Sequence, residues 1–164
     1  MSLSFMNAKN KNYLSLIIWI VLLITIGGVI GSLTKPEINT WYSTLYRSTL
    51  TPPNYVFPVA WTILYGVIGA CGWLIWRTIA FPKLSAIKTL YEIQLILNWS
   101  WMPLFFHYHL ALLSLIVLGA MDIMVCAIIW LAYSKMRALS LLMIPYLLWI
   151  LFATYLNFYI WQFN

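Results

Sequence analysis

A chain of 164 residues that is 64% hydrophobic and only 7% charged cannot clothe a water-soluble globule, since soluble domains carry about 25% charged residues. Its three acidic residues, Glu37, Glu92 and Asp122, face nine Lys and Arg scattered singly between apolar runs, which excludes a nucleic-acid-binding patch. Cys71 and Cys126 both fall inside apolar runs and read as packing residues, too few and too far apart for a disulfide framework or a closed zinc site.

The first apolar segment, about residues 13–33, is free of charge and long enough to cross some 30 Å of hydrocarbon at 1.5 Å per residue. It is too long for the core of a signal peptide, and no small-residue cleavage site follows it. Its Gly27-x-x-x-Gly31 pair predicts a close helix contact. The connection at about 34–55 contains Trp41, Tyr42, Pro52 and Pro53, a composition unlike a flexible linker, and is expected to pack as a lid. A second charge-free span, about 56–76, places Trp61 and Tyr65 on one face and offers a further close contact through Gly66, Gly69 and Gly72.

The third span, about 87–106, has Lys88 and Glu92 near its start, Asn98 and Trp101 further along, and Pro103 to bend it. The fourth, about 110–133, contains Asp122; the fifth, about 138–163, is charge-free and contains Pro145. The connections at 80–86, 107–109 and 134–137 are short, which favours antiparallel neighbours. The expected fold is therefore all-α, a single polytopic domain over 1–164 built as a bundle of five transmembrane helices. Lys9, Lys11, Arg77, Lys83, Lys88, Lys135 and Arg137 fall on the side of the N-terminus and only Lys35 and Arg47 on the other, so the N-terminus is expected inside and the C-terminus outside.

Of the ten tryptophans, Trp73, Trp76, Trp130 and Trp161 fall near span ends and read as an interfacial belt, with Trp19 lipid-facing or packed. Trp61, Trp99, Trp101 and Trp149 lie deeper. Helical spacing pairs Trp61 with Tyr65, Asn98 with Trp101, Trp101 with Phe105 and Trp149 with Ala153, in stripes that either pack helices or line a flat apolar cavity. Asn98, polar at membrane depth, needs an internal hydrogen bond. Glu92 and Asp122 are costlier still and mark either a buried pair or a functional site. His107-x-His109 offers two ligands where a closed metal site wants four, so both are read as structural or solvated and no metal is expected.

Three stretches carry a resemblance. Trp41-Tyr42-x-x-Leu45-x-Arg47-x-x-Leu50-x-Pro52-Pro53, with Trp61-x-x-Leu64-Tyr65 after it, resembles the signature of the translocator protein family, also called tryptophan-rich sensory proteins or peripheral-type benzodiazepine receptors. Gln94-Leu95-x-Leu97-Asn98-x-x-Trp101-x-Pro103 is similar to that family's third helix, and Pro145-Tyr146-Leu147-x-Trp149-x-x-Phe152-Ala153-Thr154 to its fifth. Ser48 departs from the family's usual Pro, and Leu50 from a frequent aromatic. Phe158 and Gln162 replace the Tyr and basic residue of the animal proteins' cholesterol pattern, which argues against cholesterol as a partner.

The resemblance implies a five-helix protein in the lipid bilayer, commonly a homodimer, in a bacterial inner membrane rather than a mitochondrial outer one. It implies a pocket under the first loop for porphyrin or haem as ligand, with no obligatory cofactor, and for synthetic isoquinoline or benzodiazepine-type molecules. Tyr42, Trp61, Asn98, Trp101, Trp149, Ala153 and Leu156 would form it. A receptor or sensor is the first reading. A transporter would show internal repeats, and an enzyme acid, base, metal or cofactor signals, none of which stands out. The resemblance leaves one enzymatic alternative, light-dependent porphyrin breakdown with Trp61 and Trp149 as redox partners, which needs no acid or base because the pigment is the chromophore.

Overall fold

The computed structural model describes the backbone of residues 2–164 and the side chains of residues 12–164, so the contributions of Lys9 and Lys11 to the charge asymmetry lie outside the described side chains. It holds six α-helices, α1 (Ser2–Asn39), α2 (Trp41–Thr44), α3 (Val56–Arg77), α4 (Leu84–Met102), α5 (Ala111–Ala132) and α6 (Arg137–Phe163), with a π-helical segment at Pro103–His107. The chain is all-helical among the described residues.

Three boundaries differ most from expectation, the first being the start of α1 at Ser2 rather than near residue 13. Helix α1 does not stop at residue 33 but runs through Pro36 to Asn39. The proline leaves only the carbonyl of Ser32 without its partner, and Ser32 lies on the exposed side, where that group can be solvated. The third apolar segment ends its α-helix at Met102; Pro103 has no N–H to continue the i to i−4 ladder, and the chain widens into the π turn, closed by Tyr108 N donating to Pro103 O at 3.0 Å. By length and composition, four of the described helices are apolar enough to cross a membrane: Asn12–Asn39, Val56–Arg77, Ala111–Ala132 and Arg137–Phe163. In α4, Lys88, Glu92, Gln94 and Asn98 lower the hydropathy.

The helices neighbour one another in the order α1–α3–α6–α5–α4, and α4 with the π segment closes back onto α1 and α3. The buried centre is built from branched aliphatic, Met and Tyr side chains, among them Ile68, Tyr91, Leu118, Met121, Met143 and Tyr146. The outward surface is also apolar: Ile17, Ile18, Val21, Ile63, Ile116 and Ile123 are exposed. Helices apolar all round are covered by lipid rather than water.

One end of the bundle is basic and closed. There Arg77 lies over Trp73 at 4.6 Å, Lys83 over Trp130 at 5.0 Å, Lys88 over Trp76 at 5.6 Å and Arg137 over Tyr133 at 6.0 Å. These cations cap amphipathic rings where apolar surface meets polar surroundings. In this half α1 and α3 touch: a side chain at Gly69 would begin 2.9 Å from the Ile20 Cα and 3.0 Å from the Trp19 carbonyl. Only glycine permits that approach.

Candidate ligand-binding cavity

Towards the other end α1 and α3 part. Gly28 has no atom within 4 Å of where a side chain would begin, and Gly31 meets only the Met102 methyl at 4.0 Å. The gap widens into a cavity of about 540 Å³, within the range of small-molecule sites. At its inner limit stands Tyr65, whose ring fills the place a Gly27 side chain would take. Gly31, expected in a helix contact, thus opens on empty space, while Gly27 receives an aromatic ring.

Aromatic faces make the walls. Trp61 and Trp101 lie 6.0 Å apart at 33°, and Trp101 stacks on Phe105 at 5.9 Å and 15°. Phe105, only 2% exposed, reaches this position because the π turn after Pro103 rotates it towards α1 and α2. Trp101 Nε1 donates to Asn157 Oδ1 at 3.2 Å, and Asn157 Nδ2 donates to the Ala111 carbonyl at 2.8 Å, which fixes the indole plane. On α6, Ala153 and Leu156 leave room beside these rings.

The connection between α1 and α3, residues 40–55, packs over the cavity. Tyr42 is buried at its edge, with the Arg47 guanidinium 5.1 Å from the ring centroid. Burial holds the Tyr42 hydroxyl above its usual pKa, and the Arg47 charge only partly opposes this, so the phenol stays protonated at neutral pH. Trp41 stacks on His109 at 4.1 Å and meets Phe105 edge-on at 5.4 Å. His109 Nε2 lies 3.5 Å from Glu37 Oε2, which also accepts from Thr40 Oγ1 at 3.1 Å. His109 takes a left-handed φ of 56°, a strained choice for a non-glycine residue that turns its ring under Trp41. Further along, the hydroxyls of Ser48 and Tyr155 share a 2.9 Å hydrogen bond, one that the family's usual proline could not make. Tyr46 N donates to Asn164 Oδ1 at 2.8 Å and Tyr46 O accepts from Asn164 Nδ2 at 3.1 Å.

Behind Tyr65 runs a buried polar chain. Tyr65 OH donates to Asn98 Oδ1 at 2.6 Å, Asn98 Nδ2 donates to Tyr146 OH at 2.9 Å, and Tyr146 OH donates to Gln94 Oε1 at 2.9 Å. Asn98 thereby joins α3, α4 and α6.

Of the expected pocket residues, Tyr42, Trp61, Trp101, Ala153 and Leu156 line the cavity. Asn98 does not, because its amide is engaged behind Tyr65. Trp149 does not either: it packs edge-on against Phe57 at 6.2 Å and Phe152 at 5.9 Å, and Phe57 occupies the wall in its place. Four-residue spacing put Trp149 on the face of Ala153 but could not show that a residue of α3 screens it. Trp99 is likewise outside the wall. Sequence reasoning missed Phe57, Lys35 and Asn54; the open glycines Gly28 and Gly31 were the available signal, since small residues can make space as well as contact.

Glu92 and Asp122 are not a pair. Glu92 is exposed on the outer face of α4, whereas Asp122 is buried and its Oδ2 accepts from Thr154 Oγ1 at 2.8 Å, between α5 and α6. Cys71 is buried as expected, but Cys126 is exposed on the outer face of α5.

An apolar bundle that cannot be solvated by water, with an aromatic cavity under a pinned connection, defines a multi-pass helical membrane protein. The model of the TspO/MBR family matches residues 16–162. The tryptophan-rich protein TspO of Archaeoglobus fulgidus is 39% identical over 93% of this chain and 99% of its own length. The translocator protein of Bos taurus is 36% identical over 87% and 86%, and the tryptophan-rich sensory protein of Cereibacter sphaeroides 33% identical over 78% of each. The chain belongs to the TspO/MBR family.

Proposed function

We propose that this protein is a membrane receptor or sensor that binds flat tetrapyrroles, porphyrin or haem, in the cavity between α1 and α3. One observation carries the reading: two indoles and a phenyl ring, Trp61, Trp101 and Phe105, stand at stacking distances around about 540 Å³ of apolar space. Rings of this kind favour a planar aromatic guest. Related proteins bear the names sensory protein and translocator protein, which accord with a sensing role.

In the same reading the chain crosses five times. Leu84 to His107, taken as α4 and its π continuation, is long enough to span with its charges near the basic end, and its buried face fits the bundle centre. The clustering of Arg77, Lys83, Lys88 and Arg137 at that end makes it the inner side, with the lid outside.

Porphyrin titration into the purified protein, followed by tryptophan fluorescence quenching, tests the site. Saturable quenching that Gly28→Leu abolishes is the expected result; quenching that this cavity-filling change leaves intact places the ligand elsewhere.

A further inference from the structure

Among the described residues the cavity wall contains one charged side chain. Lys35 stands on α1 one turn beyond Gly31, at the mouth, and no carboxylate faces the cavity with it. The polar groups nearby, Ser32, Asn39 and Asn54, are neutral. The other charges of this end are engaged elsewhere: Arg47 lies over the Tyr42 ring, and Glu37, two residues from Lys35, turns to His109 and Thr40. Among the described residues Lys35 makes no ion pair.

The arrangement is polarised. Away from the mouth the groups are mostly rings and aliphatic carbons, and the polar ones are engaged: Tyr65 OH donates to Asn98, Asn157 accepts from Trp101, and Thr62 Oγ1 donates to the Pro58 carbonyl. At the mouth there is an exposed ammonium with no ion-pair partner among the described residues, placed to attract an anion. A neutral guest would leave that charge unused, and a cationic guest would be repelled.

The geometry points to Lys35 as the residue that selects ligands carrying a carboxylate on one edge, and so fixes which edge of a flat guest faces outward. The inference rests on the tetrapyrrole reading and deepens it: the preferred ligand is an acid, seated with its ring system against the wall formed by Trp61 and Trp101 and its carboxylate at the mouth. A charge-assisted hydrogen bond of this kind is discounted by the exposure of the lysine, which sets the expected discrimination at about tenfold.

The test compares protoporphyrin, with two propionates, and its dimethyl ester, titrated into the full-length protein in neutral detergent at pH 7.5. The wild type should bind the diacid about tenfold more tightly than the ester. Lys35→Gln should remove this preference by weakening the diacid alone, Lys35→Arg should keep it, and added salt should weaken only the diacid. Because Lys35 is exposed, neither substitution removes buried packing, and unchanged ester binding reports an intact cavity. Equal binding of both compounds by the wild type, or equal weakening of both by Lys35→Gln, overturns the assignment and leaves Lys35 to lipid phosphates. Binding of neither compound overturns the tetrapyrrole reading and this inference with it.

Discussion

The two halves of the α1–α3 seam use the same residue to opposite ends. In the basic half, Gly69 lets the backbones meet, with 2.9 Å from a would-be side chain to the Ile20 Cα, and the helices are locked. In the lidded half, Gly28 faces nothing and Gly31 only the Met102 methyl at 4.0 Å, and the missing side chains become cavity volume. The difference teaches that a small residue lowers the cost of close approach without creating it. The partner helix must also come near, and at the lidded end Phe57, Trp61 and the 40–55 connection hold α3 away.

The largest effect should come from forcing the closed half apart. Gly69→Leu drives a side chain into the α1 backbone, and a loss of about 2–3 kcal/mol is expected, read as a lowered thermal midpoint in detergent. Gly28→Leu, on the same seam, should leave the midpoint almost unmoved and reduce porphyrin affinity by at least about tenfold. Equal thermal losses from the two changes would erase the distinction between the halves.

Tyr65 sits where the halves meet. Tyr65→Phe keeps the ring in the Gly27 socket but leaves Asn98 Oδ1 without its donor, and should cost about 1–2 kcal/mol. Asn98→Leu in the same background should add less than it costs alone; full additivity would deny the coupling. Trp61→Ala removes a wall ring and should weaken porphyrin binding by about 0.5–1.5 kcal/mol beyond lost area, whereas Trp149→Phe, screened by Phe57, should change it little. Illumination of the bound complex sharpens this pair: if light degrades the pigment, Trp61→Phe should suppress the defined product and Trp149→Phe should not. The smallest effect belongs to the basic surface, where Arg77→Gln removes one cation over Trp73 and should shift stability by about 0.5 kcal/mol.

Much of the fold was legible because the bilayer constrains composition so strongly. Four charge-free or nearly charge-free runs coincide with α1, α3, α5 and α6 within a few residues at most ends. The extension of α1 through Pro36 was not legible, because proline is a helix breaker on average, and only the exposed surroundings of Ser32 make its missing bond cheap here. The π turn had a signal in Pro103, read as a kink; that it would aim Phe105 at the cavity depended on where α1 and α2 lie.

The site divides in the same way. Periodicity placed Trp61 and Tyr65, Trp101 and Phe105, and Trp149 and Ala153 on shared faces, and the first two pairs lie at the cavity. It also placed Asn98 beside them, and the need of a buried amide for partners was a sound expectation. The partners themselves, Tyr65 and Tyr146, come from two other helices. Composition and apolar run length by themselves determined a lipid-covered, all-helical protein with its aromatic residues at depth, because water would reject such a surface. The tertiary structure decided which glycines make contact and which make room, that Phe57 rather than Trp149 faces the cavity, and that among the described residues Lys35 alone brings charge to its wall. Those outcomes depend on the distance between helices that are remote in sequence, a quantity that no local spacing contains.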